Sequence, residues 1–360
     1  SGEPILHPTH PKERHLTKKE AEITLQEFVE SGKKKHLELI KVGTTNSGKK
    51  GKKHSDNSIN IDKMESIFDY HHAYLEGLTS PYQVAQRFLD VVQSMEESAV
   101  PMKPMMMWNA KEILHQGELS TKRFEKGKPL GVLDGVPVAV KDELDLLPYK
   151  TMAGTRFFSE SLPLEDATVS TKLKNAGALM VGKSSMHELG MGVTGMNTGC
   201  GTARNPHHLD HYPGGSSSGS AVVVSSGLCP LALGLDGGGS IRIPASLSGI
   251  VGLKTTWGRV SRHGSIPLSW SVSTVGPMGA NVIDTAVGYS MIAGSDFKDS
   301  WSMSQPDVHL KDFFDSNLEG FKLGWFPDWV NHSKPEVAIA VKKTFNILEA
   351  SGATIHELNI

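Results

Sequence analysis

Cysteine is nearly absent from this chain, 2 in 360 residues. Cys200 and Cys229 have no CxxC spacing, which excludes a disulfide framework and a cysteine-ligated zinc site, and fits a reducing compartment. A surplus of one charge is missing as well. With 37 basic and 39 acidic residues the formal net charge is −2, so no global field recruits nucleic acid or an acidic partner. No run of 18 apolar residues occurs, and the opening SGEPILHPTHPKERH lacks the apolar core of a secretory signal. The expected location is intracellular, without a transmembrane segment, any membrane contact being made at the surface.

What is present is enough apolar content, 38%, for a large core, and glycine placed where chemistry could use it. Leu233 to Pro244 reads LGLDGGGSIRIP. Gly237, Gly238 and Gly239 put no side chains around the backbone N–H groups just before Ser240, so a substrate carbonyl could approach those donors closely. In isolation the same stretch reads as a tight turn closing a strand. Upstream, Pro213 to Ser220 reads PGGSSSGS and leads into the apolar Ala221 to Val224, as at a helix N-terminus. Further upstream, Leu133 to Glu143 reads LDGVPVAVKDE; Val136, Val138 and Val140 alternate as in a strand that delivers Lys141 to its end. A lysine ending an apolar strand is a candidate for burial, and a buried lysine is a candidate base.

Taken in order, the lysine, GGSSSGS and GGGSIR resemble the amidase signature family of serine hydrolases, over roughly Asp56 to the last residue. The stretches YLEGLTSPYQVAQRFL, GKSSMHELGMGVTG and GTARNPHHLDHYPGGSSSGSA are most similar to the plant-type fatty acid amide hydrolases of that family. The resemblance implies an α/β fold with a central mixed sheet covered by helices on both faces. It also implies hydrolysis of N-acylethanolamines and other fatty acid amides by a Ser–cis-Ser–Lys triad, the alternatives being an amidase of small or glutaminyl-type amides or a non-catalytic amidase-like scaffold. Position by position, Ser240 falls as nucleophile, Ser216 as bridging serine after a cis peptide, and Lys141 as base. Backbone groups of Gly237, Gly238 and Gly239 are the expected oxyanion donors, Ser217 and Arg242 the expected supports, and Met191 a border of the acyl pocket. Such a triad calls for no metal and no cofactor. A lipid amide substrate, peripheral contact with an internal membrane, and a homodimer are the partners implied; nucleic acid is not.

Residues 1–55 are rich in charge, with lysine clusters at Lys33 to Lys35 and Lys49 to Lys53, and read as a partly disordered arm. Residues 56–360 are expected to form one amidase domain, cut short at the C-terminus. GTTNSGK, Gly43 to Lys49, has P-loop spacing, but Lys50 stands where a magnesium-binding hydroxyl belongs. Ser80-Pro81 opens a helix whose apolar face includes Val84, Phe88 and Val92. A second amphipathic helix is expected over Asn109 to Lys126, a third over Val169 to Ala176, and a strand over Ala178 to Val181. The patterns continue with a strand at Gly249 to Lys254, a helix at Asp284 to Ala293, a strand from Phe321 to Trp325, a helix from Glu336 to Ala350, and a strand from Ala353. Between them, Met186, Met191 and Met196 lie in a glycine-rich loop where flexible thioethers could line an acyl channel. His207, His208 and His211 form HHxxH without the glutamate of HExxH and read as surface or hydrogen-bonded histidines. The competing nucleophile is Ser217, central in the G-x-S-x-G of Gly215 to Gly219, although that motif follows a polar segment instead of a strand.

Overall fold

The computed structural model of the chain describes residues 65–359 except 159, 161, 267, 304, 305, 307, 309, 311 and 312. The lysine-rich arm and the GTTNSGK loop therefore lie outside the described residues. Contacts divide the chain into a unit ending at Leu310 and a second unit from Lys311 to Ile360, where the sequence reads as one domain.

In the first unit two serines start the chain of elements. Ser66 and Ser80 each form a capping box, opening α1 (Ile67–Leu75) and α2 (Pro81–Glu97), the latter with proline at its first turn as expected. Then follow β1 (Met105–Met107), α3 (Ala110–Glu125), β2 (Pro137–Lys141), α4 (Thr168–Asn175) and β3 (Leu179–Ser184). After these come α5 (Ser218–Ser225), β4 (Leu231–Asp236), α6 (Arg242–Ser248), β5 (Val251–Gly252), β6 (Thr274–Gly279) and α7 (Val282–Ile292). The expected strand at Gly249 to Lys254 shrinks to the two residues of β5, because Gly249 adopts φ 70 and closes α6 as its left-handed C-cap.

The strands form a six-stranded sheet in the order β1-β3-β2-β4-β6-β5. It is mixed: β2 runs parallel to β3 and β4, whereas β1, β6 and β5 pair antiparallel. Every residue of β2, β3 and β4 is buried, which is why those strands read as nearly continuous apolar runs. Helices cover both faces. A Cβ on Gly234 would come within 2.9 Å of Ser217 and Ile241, whereas one on Gly288 of α7 would meet Leu231 at 2.6 Å. Residues 231 and 234 point to opposite sides of a strand, so the Ser217–Ile241 layer and α7 occupy opposite faces. On the first face Phe88, Val92, Ile113, Val181, Val223 and Ala232 share one apolar cluster.

Register decides where the strands end. Val140 pairs with Leu233 and Lys141 with Ser184, so the C-terminal ends of three parallel strands arrive at one edge of the sheet. In open α/β sheets that edge is where ligands bind.

The second unit pairs β7 (Lys322–Trp325) in parallel with β8 (Thr354–Glu357), connected through α8 (Pro327–Asn331) and α9 (Pro335–Ala350). The Trp325 ring packs 5.2 Å from that of Phe345. Among the described residues no helix is long and apolar enough to cross a membrane.

Candidate active site

The side chain of Lys141 leaves the end of β2 and is fully buried. Its Nζ lies 2.7 Å from Ser216 Oγ, 3.2 Å from the Leu235 carbonyl oxygen and 2.5 Å from Glu143 Oε1. Burial pushes the amine below the usual lysine range, against the opposing pull of Glu143 and, more weakly, Asp236. Ser216 is buried just before α5, and the Gly215–Ser216 peptide bond is cis. Its carbonyl accepts the His187 N–H at 3.1 Å, which ties the serine to the loop after β3.

Ser240 sits at the mouth of the site, partly exposed, where β4 gives way to α6. Ser217 donates its backbone N–H to the Ser240 carbonyl at 3.1 Å, joining the serine-rich motif to the glycine-rich one. No hydrogen bond links Ser216 Oγ with Ser240 Oγ among the described residues. A relay through the two hydroxyls requires that bond to close around substrate, as catalytic hydrogen bonds often do.

The glycine turn is shaped by Asp236, a residue that composition and spacing do not single out. Its buried carboxylate accepts the N–H of Gly239 at 2.7 Å and of Ile241 at 3.0 Å, and is gripped by the Arg242 fork at 3.0 and 2.9 Å. Burial alone would raise this carboxyl, but the Arg242 hydrogen bond and the backbone donors outweigh it and hold it below the usual carboxylate range. Gly239 therefore departs from the expectation of an oxyanion donor: its N–H is already engaged by Asp236. The N–H groups of Gly237, Gly238 and Ser240 make no hydrogen bond among the described residues, which leaves three donors beside the serine hydroxyl. Nothing would lie within 4 Å of a Cβ on Gly238, so its face of the turn is open.

Met191 is 71% exposed and ends the short 3-10 turn Glu188–Gly190. Met196 is exposed too, whereas Met186 is fully buried and belongs to the core, so the three methionines do not share one channel wall. Other apolar side chains stand beside the chemistry. A Cβ on Gly190 would lie 3.3 Å from Leu268 and 3.6 Å from Ser216 Oγ, and one on Gly237 would lie 3.8 Å from Val272. Leu268 and Val272 are both exposed. The competing nucleophile Ser217 is fully buried, with its Oγ against the Leu235 backbone. His207 hydrogen-bonds to the Ser248 carbonyl and Ser225 hydroxyl, and the rings of His208 and His211 pack against each other.

The family model described as Amidase matches residues 90–360. The chain belongs to the amidase family. It is 41% identical over 299 residues to a fatty acid amide hydrolase of Oryza sativa subsp. indica, covering 81% of this chain and 49% of that protein. It is 35% identical over 297 residues to a glutamyl-tRNA(Gln) amidotransferase subunit of Rippkaea orientalis, covering 82% of this chain and 61% of the relative. Among solved structures it superposes on the native peptide amidase of Stenotrophomonas maltophilia with TM-score 0.75 and 29% identity, over 82% of this chain and 62% of that one. The chain thus spans about half the length of the plant protein it matches, and the family model extends across both of its units.

Proposed function

We propose that the protein is a serine amidase that hydrolyses fatty acid amides such as N-acylethanolamines, with Ser240 as nucleophile, Ser216 as proton bridge and Lys141 as base. The observation that carries the chemistry is the 2.7 Å contact between a buried lysine amine and the Ser216 hydroxyl. An exposed lysine, with a pKa of about 10.4, is almost entirely protonated at neutral pH and cannot act as a base. Burial shifts the amine toward its neutral form. That amine accepts the Ser216 proton while Ser216 accepts the Ser240 proton, and Ser240 Oγ attacks the amide carbon. The relay then runs backward to protonate the departing amine, a poor leaving group, and water releases the acyl chain by the same route. The free N–H groups of Gly237, Gly238 and Ser240 hold the developing oxyanion, each worth about 3 kcal/mol by analogy with other hydrolases.

The acyl preference is supported by the identity with the plant fatty acid amide hydrolase and by Leu268 and Val272 beside the site. A second reading, a small-amide or glutaminyl-type amidase, is supported by the amidotransferase and peptide amidase relatives. A membrane-peripheral location follows only from a lipid substrate and stands or falls with it.

Labelling with a fluorophosphonate tests both levels. Labelling is expected to disappear in Ser240→Ala, to slow in Lys141→Ala, and to be blocked by a long-chain N-acylethanolamine at concentrations where short amides do not compete. Undiminished labelling of Ser240→Ala would remove the nucleophile assignment. Equal competition by short amides would favour the second reading.

A further inference from the structure

Lys141 has a second buried partner for which the serine relay has no use. Glu143 is two residues beyond the base, its side chain 2% exposed against 0% for the lysine, and its Oε1 is 2.5 Å from Nζ. We propose that Glu143 is the positioning residue of the lysine base: its carboxylate aims the Nζ lone pair at Ser216 and stabilises the ammonium that forms when the amine takes the serine proton. This rests on the serine-amidase reading above.

Three oxygens surround Nζ: Ser216 Oγ, the Leu235 carbonyl and Glu143 Oε1. A neutral amine offers two N–H bonds and one lone pair. With the carbonyl and the carboxylate drawing the N–H side, the lone pair is left to the serine, whose O–H then donates to it. Among the described residues Glu143 Oε1 has no hydrogen-bond partner besides that amine, so this oxygen is paired with Nζ alone. Glu143 is itself held in place. Its carbonyl accepts the Ile266 N–H at 2.9 Å, and its Oε2 lies against Gly190, the same glycine that backs Ser216 Oγ.

In the step itself the Ser216 O–H bond breaks and an Nζ–H bond forms, so the positive charge appears beside the carboxylate and disappears when the proton returns to the leaving amine. The other titratable and charged groups that act on the pair are Asp236 at the end of β4, itself bound by Arg242, His187 after β3, and Asp142 and Lys183, which act on Glu143. A buried carboxylate beside an amine favours its charged form, so removing it lowers both the strength of the base and the pH at which it is free.

The test uses the full-length protein and two readouts, the titration of Lys141 followed by NMR of ε-13C-lysine and the pH dependence of Ser240 labelling by a fluorophosphonate. In Glu143→Gln, Lys141 is expected to titrate at lower pH than in the wild type. The acid limb of labelling should move to lower pH with it, and the plateau rate should fall about tenfold or more. Glu143→Asp, which keeps the charge but withdraws it, should move in the same direction by less, and serves if the glutamine variant does not fold. In a Lys141→Ala background, Glu143→Gln should change labelling by no more than about twofold, because its effect passes through the lysine. A titration and limb that stay in place in both variants, or an equal loss without Lys141, would overturn the assignment. If the probe modifies a residue other than Ser240 the amidase reading fails separately, and the Lys141 titration, which needs no turnover, still decides the coupling.

Discussion

The first unit buries two lysines on neighbouring parallel strands, and they face different partners. Lys141 ends β2, and Lys183 is the penultimate residue of β3; both side chains are fully buried, and burial pushes both amines below the usual lysine range. Each has a buried carboxylate, Glu143 for Lys141 and Asp142, 3.5 Å away, for Lys183. The difference lies in the remaining acceptors. Lys183 donates to the Lys150 carbonyl at 3.2 Å and the Thr151 hydroxyl at 3.1 Å, and Asp142 accepts the Gly154 N–H at 2.9 Å. That arrangement clasps the loop after β2 to the sheet. Lys141 instead meets the Ser216 hydroxyl beside a glycine turn with free N–H groups. Desolvation lowers both amines alike; what sets them apart is what each amine faces.

The largest expected effect separates the two directly. Lys141→Met should cost about 10²–10⁴-fold in labelling rate at neutral pH while the fold persists. Lys183→Met should instead cost stability, about 3–5 kcal/mol by urea unfolding, because it strands the buried Asp142 charge. Adding Asp142→Asn should recover part of that stability. If Lys183→Met lost as much activity as Lys141→Met without losing stability, the division of roles would be wrong.

A smaller effect is expected at the clasp that shapes the oxyanion donors. Arg242 is half exposed and opens α6 just after the turn. Arg242→Ala leaves Asp236 with its backbone donors only, so the turn loosens and labelling should slow by about tenfold, within the range lost when one oxyanion donor is removed. A full-speed variant would mean that the backbone donors suffice.

The smallest effect is common to both lysines and concerns pH. Below the ordinary lysine value of 10.5 the unfolded chain binds protons that the two depressed amines do not. Unfolding then takes up protons, so stability should rise with pH through the alkaline range and level off above 10.5. Each lysine-to-methionine variant should flatten part of that rise. A slope unchanged in both would show that the amines remain charged in the folded state.

The contrast between the two lysines extends to the sequence, where one of them could be read and the other could not. Lys141 follows an alternating valine strand and stands in order with GGSSSGS and GGGSIR, so the motif marks it. Lys183 follows an equally buried strand, but of the residues that explain it, Asp142 and Thr151, neither is marked by spacing as its partner. The capping boxes at Ser66 and Ser80 and the strands at Lys141 and Lys183 are local matters of hydrogen bonding and periodicity, and local sequence expresses them. Asp236 was visible only as the residue before three glycines; its grip on Gly239 and Arg242 depends on a turn geometry that spacing does not encode.

The sequence by itself determined the amidase family and the mixed α/β sheet, because those rest on motif order and short-range pattern, and it pointed to one lysine and two serines as candidates. Only the tertiary structure decided that Lys141 reaches Ser216 across 75 residues of chain, and that Glu143 shares its burial. It also decided that Gly239 turns its N–H to Asp236. The Gly239 contact is a matter of turn geometry, whereas the reach of Lys141 and the shared burial of Glu143 follow from the register of β2, β3 and β4, which brings separate chain segments to one sheet edge. Burial and pairing of charges are properties of that meeting, and no single segment carries them.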